Sequence, residues 1–539
     1  MKRVAIFGCG PGGGTVAHEL SKFSDYKIDI YEKNNKIGGL ARSDRDDDGC
    51  ASEISWRVFF DFYHNIFKVF REIPLINDKN KTVLNNLTIY HHTNIFDSKF
   101  SNKDKLIGLY YILYGFMSCD KRLDDLDNLS WWEALKSTSK SNLYREIGGW
   151  LGMDRKKGSY KSVIKVGLEM QILDSYLSKN YKDWITTKPT SEAWFDHWKV
   201  HLEKQKVKFH MNTELKSVEI ENNKIISALI YDLNNKSYHK IIADYYVFSI
   251  PVQEFSQIID IQPKLNYGEL KNIKKLKETC LHMQLAFQVY FNQPVSLGIL
   301  NKNKKYNAFL VVDSPWDLIV LSYDAIYEDT KLCNKLQNVK GGWSITVCTA
   351  YIDGIVFKKS FKKCSYDEII IEIWAQLKNS PSLKKLVSDN NSFELDDNLV
   401  VKWTPMWSTF NYDKNSQTLQ NSEPKFTNNI GSYALRPSFK THIDNLFIAT
   451  AYIKETIDIF SMEAACIAGK RVSNAINEKS DKPIIQRRPL LFLPFRTIDN
   501  LFYNIGMPNM GFNLIIFLLL IILVMIYFVI KYILTKNIK

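Results

Sequence analysis

The first apolar run, Arg3 to Phe7, predicts a short buried strand, and a glycine-rich turn leads from it into a predicted helix over Gly12 to Phe23. Lys27 to Tyr31 then alternates polar and apolar positions, the period of a second strand. From Asp61 onward, Tyr63, Ile66, Phe67 and Phe70 recur at the spacing of one helix face, and Pro74 stops the pattern. Residues 76–205 read as mostly helical and aromatic, with Trp131, Trp132, Trp150, Trp184 and Trp194. Strand signals return at Val207–Met211, Ser217–Ile220, Lys224–Tyr231 and Tyr245–Ile250, with Asn222-Asn223 as a hairpin turn. A mixed stretch over 262–394 predicts strands near Met283–Phe291, Phe309–Val312 and Ser344–Ala350 and a helix near Asp367–Leu377. One more apolar strand, Leu446–Ala449, and a helix from Met462 to Ile476 complete the body.

The pattern changes at the tail. Leu514 to Ile530 is unbroken apolar sequence, extended past Lys531 by Tyr532, Ile533 and Leu534, close to the ~20 residues that cross a bilayer as a helix. It is apolar on every side, so a transmembrane anchor is expected. Basic residues flank it on both sides (Arg487, Arg488 and Arg496 before, Lys531, Lys536 and Lys539 after), so charge sets no orientation. Between Pro489 and Met510 lies a second apolar stretch that includes Leu490, Leu491, Phe492, Leu493, Leu501 and Tyr503. It suits either a position in the headgroup layer or a tail packed on the body.

Composition narrows the class. With 539 residues, 45% of them hydrophobic and 24% charged, the chain is globular and exceeds a single typical core, so two interleaved domains are expected. The formal charge of +13 is spread along the chain, in segments such as Asn77–Lys81 and Asn301–Lys305, and never clusters with aromatics. Nucleic acid is therefore not an expected partner. Cys9, Cys50, Cys119, Cys280, Cys333, Cys348, Cys364 and Cys466 form no C-x-x-C pair and no metal spacing. Free thiols in a reduced compartment are expected. Met1 leads almost directly into a strand, which leaves no room for a cleavable signal peptide and puts the body in the cytosol.

The chemistry begins in the first turn. Gly8-Cys9-Gly10-Pro11-Gly12-Gly13-Gly14 fits G-x-G-x-x-G between a strand and a helix, where glycines let the backbone approach a pyrophosphate seated on the helix N-terminus. Glu32 ends the second strand, placed to accept hydrogen bonds from ribose hydroxyls and to repel a 2′-phosphate. Gly38-Gly39 follows, with Leu40-Ala41-Arg42-Ser43. That segment resembles the flavoprotein loop that returns to the diphosphate, where Arg42 can offer charge-assisted donors.

These motifs, with Glu53-Ile54-Ser55-Trp56-Arg57-Val58-Phe59-Phe60-Asp61-Phe62-Tyr63-His64-Asn65, resemble the FAD-dependent amine-oxidase and phytoene-desaturase superfamily, and most of all its carotenoid-desaturase and hydroxysqualene-dehydroxylase branch. Asn445-Leu446-Phe447-Ile448-Ala449-Thr450-Ala451-Tyr452, followed by Asp458-Ile459-Phe460-Ser461-Met462-Glu463-Ala464-Ala465, is similar to the branch's last flavin motif. Read by itself, Ser461 can cap a helix starting at Met462, and Ala464, Ala465 and Gly469 permit close backbone approach. The resemblance implies that this helix N-terminus faces the isoalloxazine, that a position near Leu215 meets adenine, and that FAD is the cofactor. Where the family usually has an acid that bonds the ribityl chain, this sequence has Thr450-Ala451.

The expected cofactor-binding set is Gly8, Gly10, Pro11, Gly12, Gly13, Glu32, Gly38, Gly39, Arg42, Leu215, Thr450, Met462 and Glu463. No catalytic residue stands out: Arg57, Trp56 and Tyr452 read as packing or hydrogen-bonding residues near the flavin, and His64 as a surface or cap residue. The expected architecture is an α/β Rossmann-type FAD-binding domain assembled from 1–75, 206–261 and 395–477. An α+β substrate domain (76–205 and 262–394) is inserted in it, followed by a linker (478–510) and a transmembrane anchor (511–534). The expected function is a membrane-anchored FAD-dependent oxidoreductase acting on an apolar isoprenoid or lipid, its electron acceptor undefined by the sequence. The alternatives are an amine oxidase on a soluble amine, a nucleotide-sugar flavin mutase, and an inactive membrane-tethered protein of the same fold.

Overall fold

The strand Lys2–Phe7 is apolar and buried from Val4 onward because it is covered there on both faces, as inner strands of a parallel sheet are. Tyr26–Tyr31 lies on one side of it and Tyr245–Phe248 on the other, both parallel, with Ile6 level with Ile30 and Val247. Leu446–Ile448 and Lys208–His210 complete a five-stranded sheet, at opposite edges. Its strands thus come from three separated stretches of chain. The computed structural model describes all residues except 56, 94–101, 135–151, 155, 170–181, 302–303, 312, 328–330, 486–487 and 537–539, so Trp56, Trp150 and Arg487 lie outside the described residues.

The helix Pro11–Leu20 crosses from the first strand to the second, with Pro11 at its first position, where a missing N–H costs nothing. The helix Met462–Ile476 packs on it with Ser461 as its cap, the Ser461 hydroxyl accepting from the Ala464 N–H. A Cβ at Gly469 would stand 2.6 Å from the Gly12 carbonyl oxygen, so glycine there sets how closely the two helices approach. Beside that contact the fully buried Lys470 pairs with the equally buried Glu19.

A second sheet of six strands, in the order Val400–Trp403, Leu285–Phe291, Gly341–Val347, Leu318–Ser322, Ala308–Val311 and His92–Thr93, packs its own core under the helix Tyr366–Asn379. The strands and helix expected in 262–394 are present within a few residues of their predicted bounds, and Leu318–Ser322 is an addition. The stretch expected to be helical also holds the three-residue strands Leu87–Ile89 and Trp184–Thr186, paired with each other. Strands so short carry no readable period.

Two expectations are corrected. Cys50 and Cys333 form a disulfide between the hairpin after the second glycine pair and a loop of the six-stranded domain. Pairing across 283 residues leaves no spacing signal, and the free-thiol argument for a cytosolic body fails for these two residues. The other six cysteines are buried and form no disulfide among the described residues.

The apolar tail segment packs on the body. In the helix Leu493–Asn504, Asp499 is fully buried and accepts from the Cys119 N–H (2.7 Å) and Arg122 Nε (2.9 Å), which fixes the helix on the body. Leu491, in the turn before it, and Leu501, on its other face, are exposed, at 78% and 64%. The helix Met510–Lys536 follows, and 20 of its residues, Phe512–Lys531, are long and apolar enough to cross a membrane; Phe512 at its start is buried against Tyr110 and Tyr114, and residues 520–530 are exposed.

Candidate functional site

A cavity of about 310 Å³ opens where the carboxyl ends of the parallel strands meet the second domain, the place where ligands sit in open α/β sheets. The first turn supplies Gly8, Cys9, Gly10, Pro11 and Gly12 to its wall. Gly10, the N-cap of the first helix, carries no side chain to cap it, so the helix N-terminus presents backbone donors and positive dipole to the cavity. The second glycine loop comes back onto the first. The Gly38 N–H donates to the Cys9 carbonyl (2.7 Å), and a Cβ at Gly39 would lie 3.3 Å from the Gly10 Cα.

Glu32 is oriented by the backbone. Its carboxylate accepts from the N–H groups of Cys9 (2.7 Å) and Asn34 (2.9 Å). Burial pushes its pKa above the ordinary range, and those two bonds oppose the push. Farther along the wall lie Thr213, Glu214 and Leu215, with Val252, Gln253 and Glu254 beside them. Gln253 is buried and neither its amide oxygen nor its amide nitrogen has a hydrogen-bond partner. A donor and an acceptor left unpaired at a cavity wall suit the edge of a nucleobase, because a buried amide with no partner is costly.

Of the expected cofactor-binding residues, Gly8, Gly10, Pro11, Gly12, Glu32, Gly39, Arg42, Leu215, Thr450 and Met462 line this cavity. Three do not. Gly13 donates to Ser249 Oγ (2.8 Å), and a Cβ there would meet the Gly8 carbonyl at 2.2 Å. Gly38 holds the two turns together. Glu463 points to the helix His64–Glu72, where its carboxylate accepts from the N–H groups of Asn65 (2.8 Å) and Ile66 (2.9 Å) and from the Asn65 side chain (2.7 Å). It is a helix cap, and burial raises its pKa to about 7.

Arg42 also departs from expectation. Its guanidinium is on the wall but already balanced, bonded to Glu423 (2.8 Å) and to the Gly39 carbonyl (2.8 Å). Its charge therefore braces the second glycine loop. Arg57 lines the cavity and donates to the Ser55 carbonyl (2.7 Å) and to the Leu40 carbonyl, and Tyr452 donates to the Ile250 carbonyl (3.1 Å). Both hold loops in place, the hydrogen-bonding role expected of them. His64 is exposed at the start of its helix.

The remaining wall was not foreseen. Lys425-Phe426 forms a two-residue strand paired with Leu281-His282, and Lys425, Gln284 and Gly152 border the cavity with the apolar Ile54, Phe60, Phe426, Ile459 and Phe460. Phe426 lies against Tyr452 and Phe460, 5.8 and 5.7 Å between ring centroids. Burial lowers the Lys425 pKa to about 8. Residues 425–426 are too short a strand to read from sequence.

The residues present therefore fit a dinucleotide: a diphosphate seat at the first turn, an acid for ribose, and an unpaired amide for a base. Comparison with known proteins agrees. A family model described as flavin containing amine oxidoreductase matches residues 192–477, and one described as an NAD(P)-binding Rossmann-like domain matches 6–73. Zeta-carotene desaturase of Zea mays is 33% identical over 97 residues, which is 18% of this chain and 15% of that protein's length. Among solved structures, putrescine oxidase superposes with a TM-score of 0.59 at 12% identity, covering 89% of this chain and 99% of that one. Cyclohexylamine oxidase from Brevibacterium oxydans gives 0.56 at 13% identity, with the same coverage of 89% and 99%. At those identities the superpositions establish the shared fold.

Proposed function

The chain belongs to the flavin containing amine oxidoreductase family, with FAD as its cofactor, and from that premise we propose a membrane-anchored oxidoreductase that desaturates or oxidises an apolar isoprenoid or lipid. The observation that carries this reading is one cavity with two unlike walls, a backbone-lined dinucleotide seat and an apolar wall of Ile54, Phe60, Phe426, Ile459 and Phe460, in a chain that ends in an exposed apolar helix. The short match to zeta-carotene desaturase supports the substrate class, and Phe512–Lys531 supports the anchor.

When bound, FAD supplies the two-electron acceptor for oxidation of a substrate C–H bond. The chain's own part is to bind, orient and exclude water. Gly8 to Gly12 and the uncapped helix end hold the diphosphate, Glu32 the ribose and Gln253 with Leu215 the base. Arg57 and the Arg42–Glu423 pair stiffen the loops over which the substrate lies. Phe426 and Phe460 keep the reacting carbon dry. No histidine lines the cavity among the described residues.

The test is anaerobic. Detergent-purified protein, carrying the paired near-ultraviolet and blue bands of oxidised flavin, is mixed with a membrane lipid extract or with soluble amines such as putrescine. Bleaching by the lipid extract alone is the expected result. Bleaching by amines and not by lipid would replace the proposal with a soluble-amine oxidase.

A further inference from the structure

We propose that the cavity wall formed by Lys425, Gln284 and Gly152 seats a carboxylate at the polar end of the substrate, an inference that rests on the flavoenzyme reading above. Four other enclosed cations have carboxylate partners. Arg42 has Glu423, Arg436 has Asp458, Arg122 has Asp499 and Lys470 has Glu19. Lys425 has neutral oxygens instead. Its ammonium donates to Gln284 Oε1 at 2.8 Å and lies 3.4 Å from the Gly152 carbonyl, and among the described residues no carboxylate forms an ion pair with it. Glu423, two residues away, is occupied by Arg42 and Asn34.

Cys348 and Arg57, the groups that act on Lys425, bring no negative charge at neutral pH, and the Asp154 carboxylate acts on the neighbouring His282. Arg57 contributes a second positive charge that opposes protonation of Lys425. Burial holds the Cys348 thiol up at about 12 and the His282 imidazole down at about 4, so both are neutral. Lys425 itself, lowered to about 8 by burial, remains mostly protonated at pH 7. An ammonium held at a cavity wall without a counter-charge is costly, and an arriving anion would offset that cost. Arg57 is turned to the Ser55 and Leu40 carbonyls, which leaves the Lys425 ammonium as the partner for a head group, and a single ammonium matches a carboxylate better than a diphosphate. Ile54, Leu40 and Phe426 on the same wall suit an alkyl or polyene chain behind that head. The ligand class is an amphiphilic lipid acid.

The full-length protein in detergent is melted, followed by tryptophan fluorescence, with decanoate or with decanol at pH 7. Decanoate should stabilise with an apparent affinity about tenfold or more above that of decanol. Its advantage should fade as the pH rises past about 8. Lys425→Met should erase the advantage, and Lys425→Arg should keep it. Equal effects of acid and alcohol on the wild type, or an acid preference that survives Lys425→Met, would overturn the proposal. The readout needs no flavin signal. The visible flavin bands of the same samples report on the cofactor, so a failure of the flavoenzyme reading shows separately.

Discussion

Glu32 and Glu463 are two buried acids, 5% and 1% exposed, each held by two backbone N–H groups, and each with its pKa raised by burial. Both stand next to the same cavity. One ends a strand and faces the ligand space, and the other, one residue past the cavity-lining Met462, turns away and caps the helix His64–Glu72. What separates them is the source of their donors. The donors to Glu32, the Cys9 N–H and the Asn34 N–H and side-chain amide, come from the cavity's own loops, so the carboxylate stays on the cavity wall. Those to Glu463 come from a helix almost 400 positions earlier, which draws the carboxylate away from the cavity. Burial and chemistry alone do not tell a ligand-binding acid from a structural one. The partner set does.

The largest expected effect that tests this contrast is on stability. Glu463→Ala leaves the Asn65 and Ile66 N–H groups and the Asn65 amide unpaired in a buried site, each such group costing about 1–3 kcal/mol. A loss of about 3 kcal/mol in urea denaturation is expected, with FAD affinity changed little in the folded fraction. The pH dependence carries the same signature. Because the folded pKa of Glu463 is about 7 against an ordinary 4.5, the native state keeps a proton that the unfolded chain has released between those values. Its contribution to stability is therefore full below about 4.5 and falls as the pH rises to about 7. Glu53 and Glu254, both also at about 7, act in the same sense. Glu463→Gln should make the decline between pH 5 and pH 8 shallower.

Glu32→Ala should do the reverse. Water entering the cavity can replace the lost acceptor, so stability should fall by about 1 kcal/mol or less. FAD affinity should fall about 10- to 100-fold, the loss of a charge-assisted bond to ribose, read by equilibrium release of flavin fluorescence. Equal losses of FAD affinity in the Glu32 and Glu463 variants would break the contrast.

The same distinction explains what was legible in the sequence. The first turn, Glu32, and the helix Met462–Ile476 with its Ser461 cap are local features, set by residues within a few positions of one another, and each was readable. So were most strands of the parallel sheet, the inner ones as short apolar runs such as Val4 to Phe7 and the second by its alternation. Gln253 and Lys425 were not readable. A lone glutamine after Ile250-Pro251 and a lysine before a phenylalanine look like any surface residue until distant strands such as Leu281-His282 enclose them. The Cys50–Cys333 bridge and the buried Asp499–Arg122 pair were hidden for the same reason. The role given to Glu463 failed because its motif position was visible while its partner Asn65 was not. Arg42 was misjudged likewise, since Glu423 lies 381 positions away.

Ser461→Ala gives the smallest effect and the finest test. Ser461 caps the helix that carries both Met462, on the cavity, and Glu463, away from it, by accepting from the Ala464 N–H at 3.1 Å. Losing a serine cap costs about 1 kcal/mol. That loss acts on the first turn of the helix, so it should loosen Met462 and Glu463 together. If the helix N-terminus does no more than pack, only the urea midpoint should move. If it also stabilises negative charge on the reduced cofactor, as its position on the cavity implies, the flavin midpoint potential of Ser461→Ala should fall as well, while Glu463→Gln leaves that potential near the wild-type value. A potential that moves in Glu463→Gln and not in Ser461→Ala would put the electrostatic role on the acid that the structure assigns to capping.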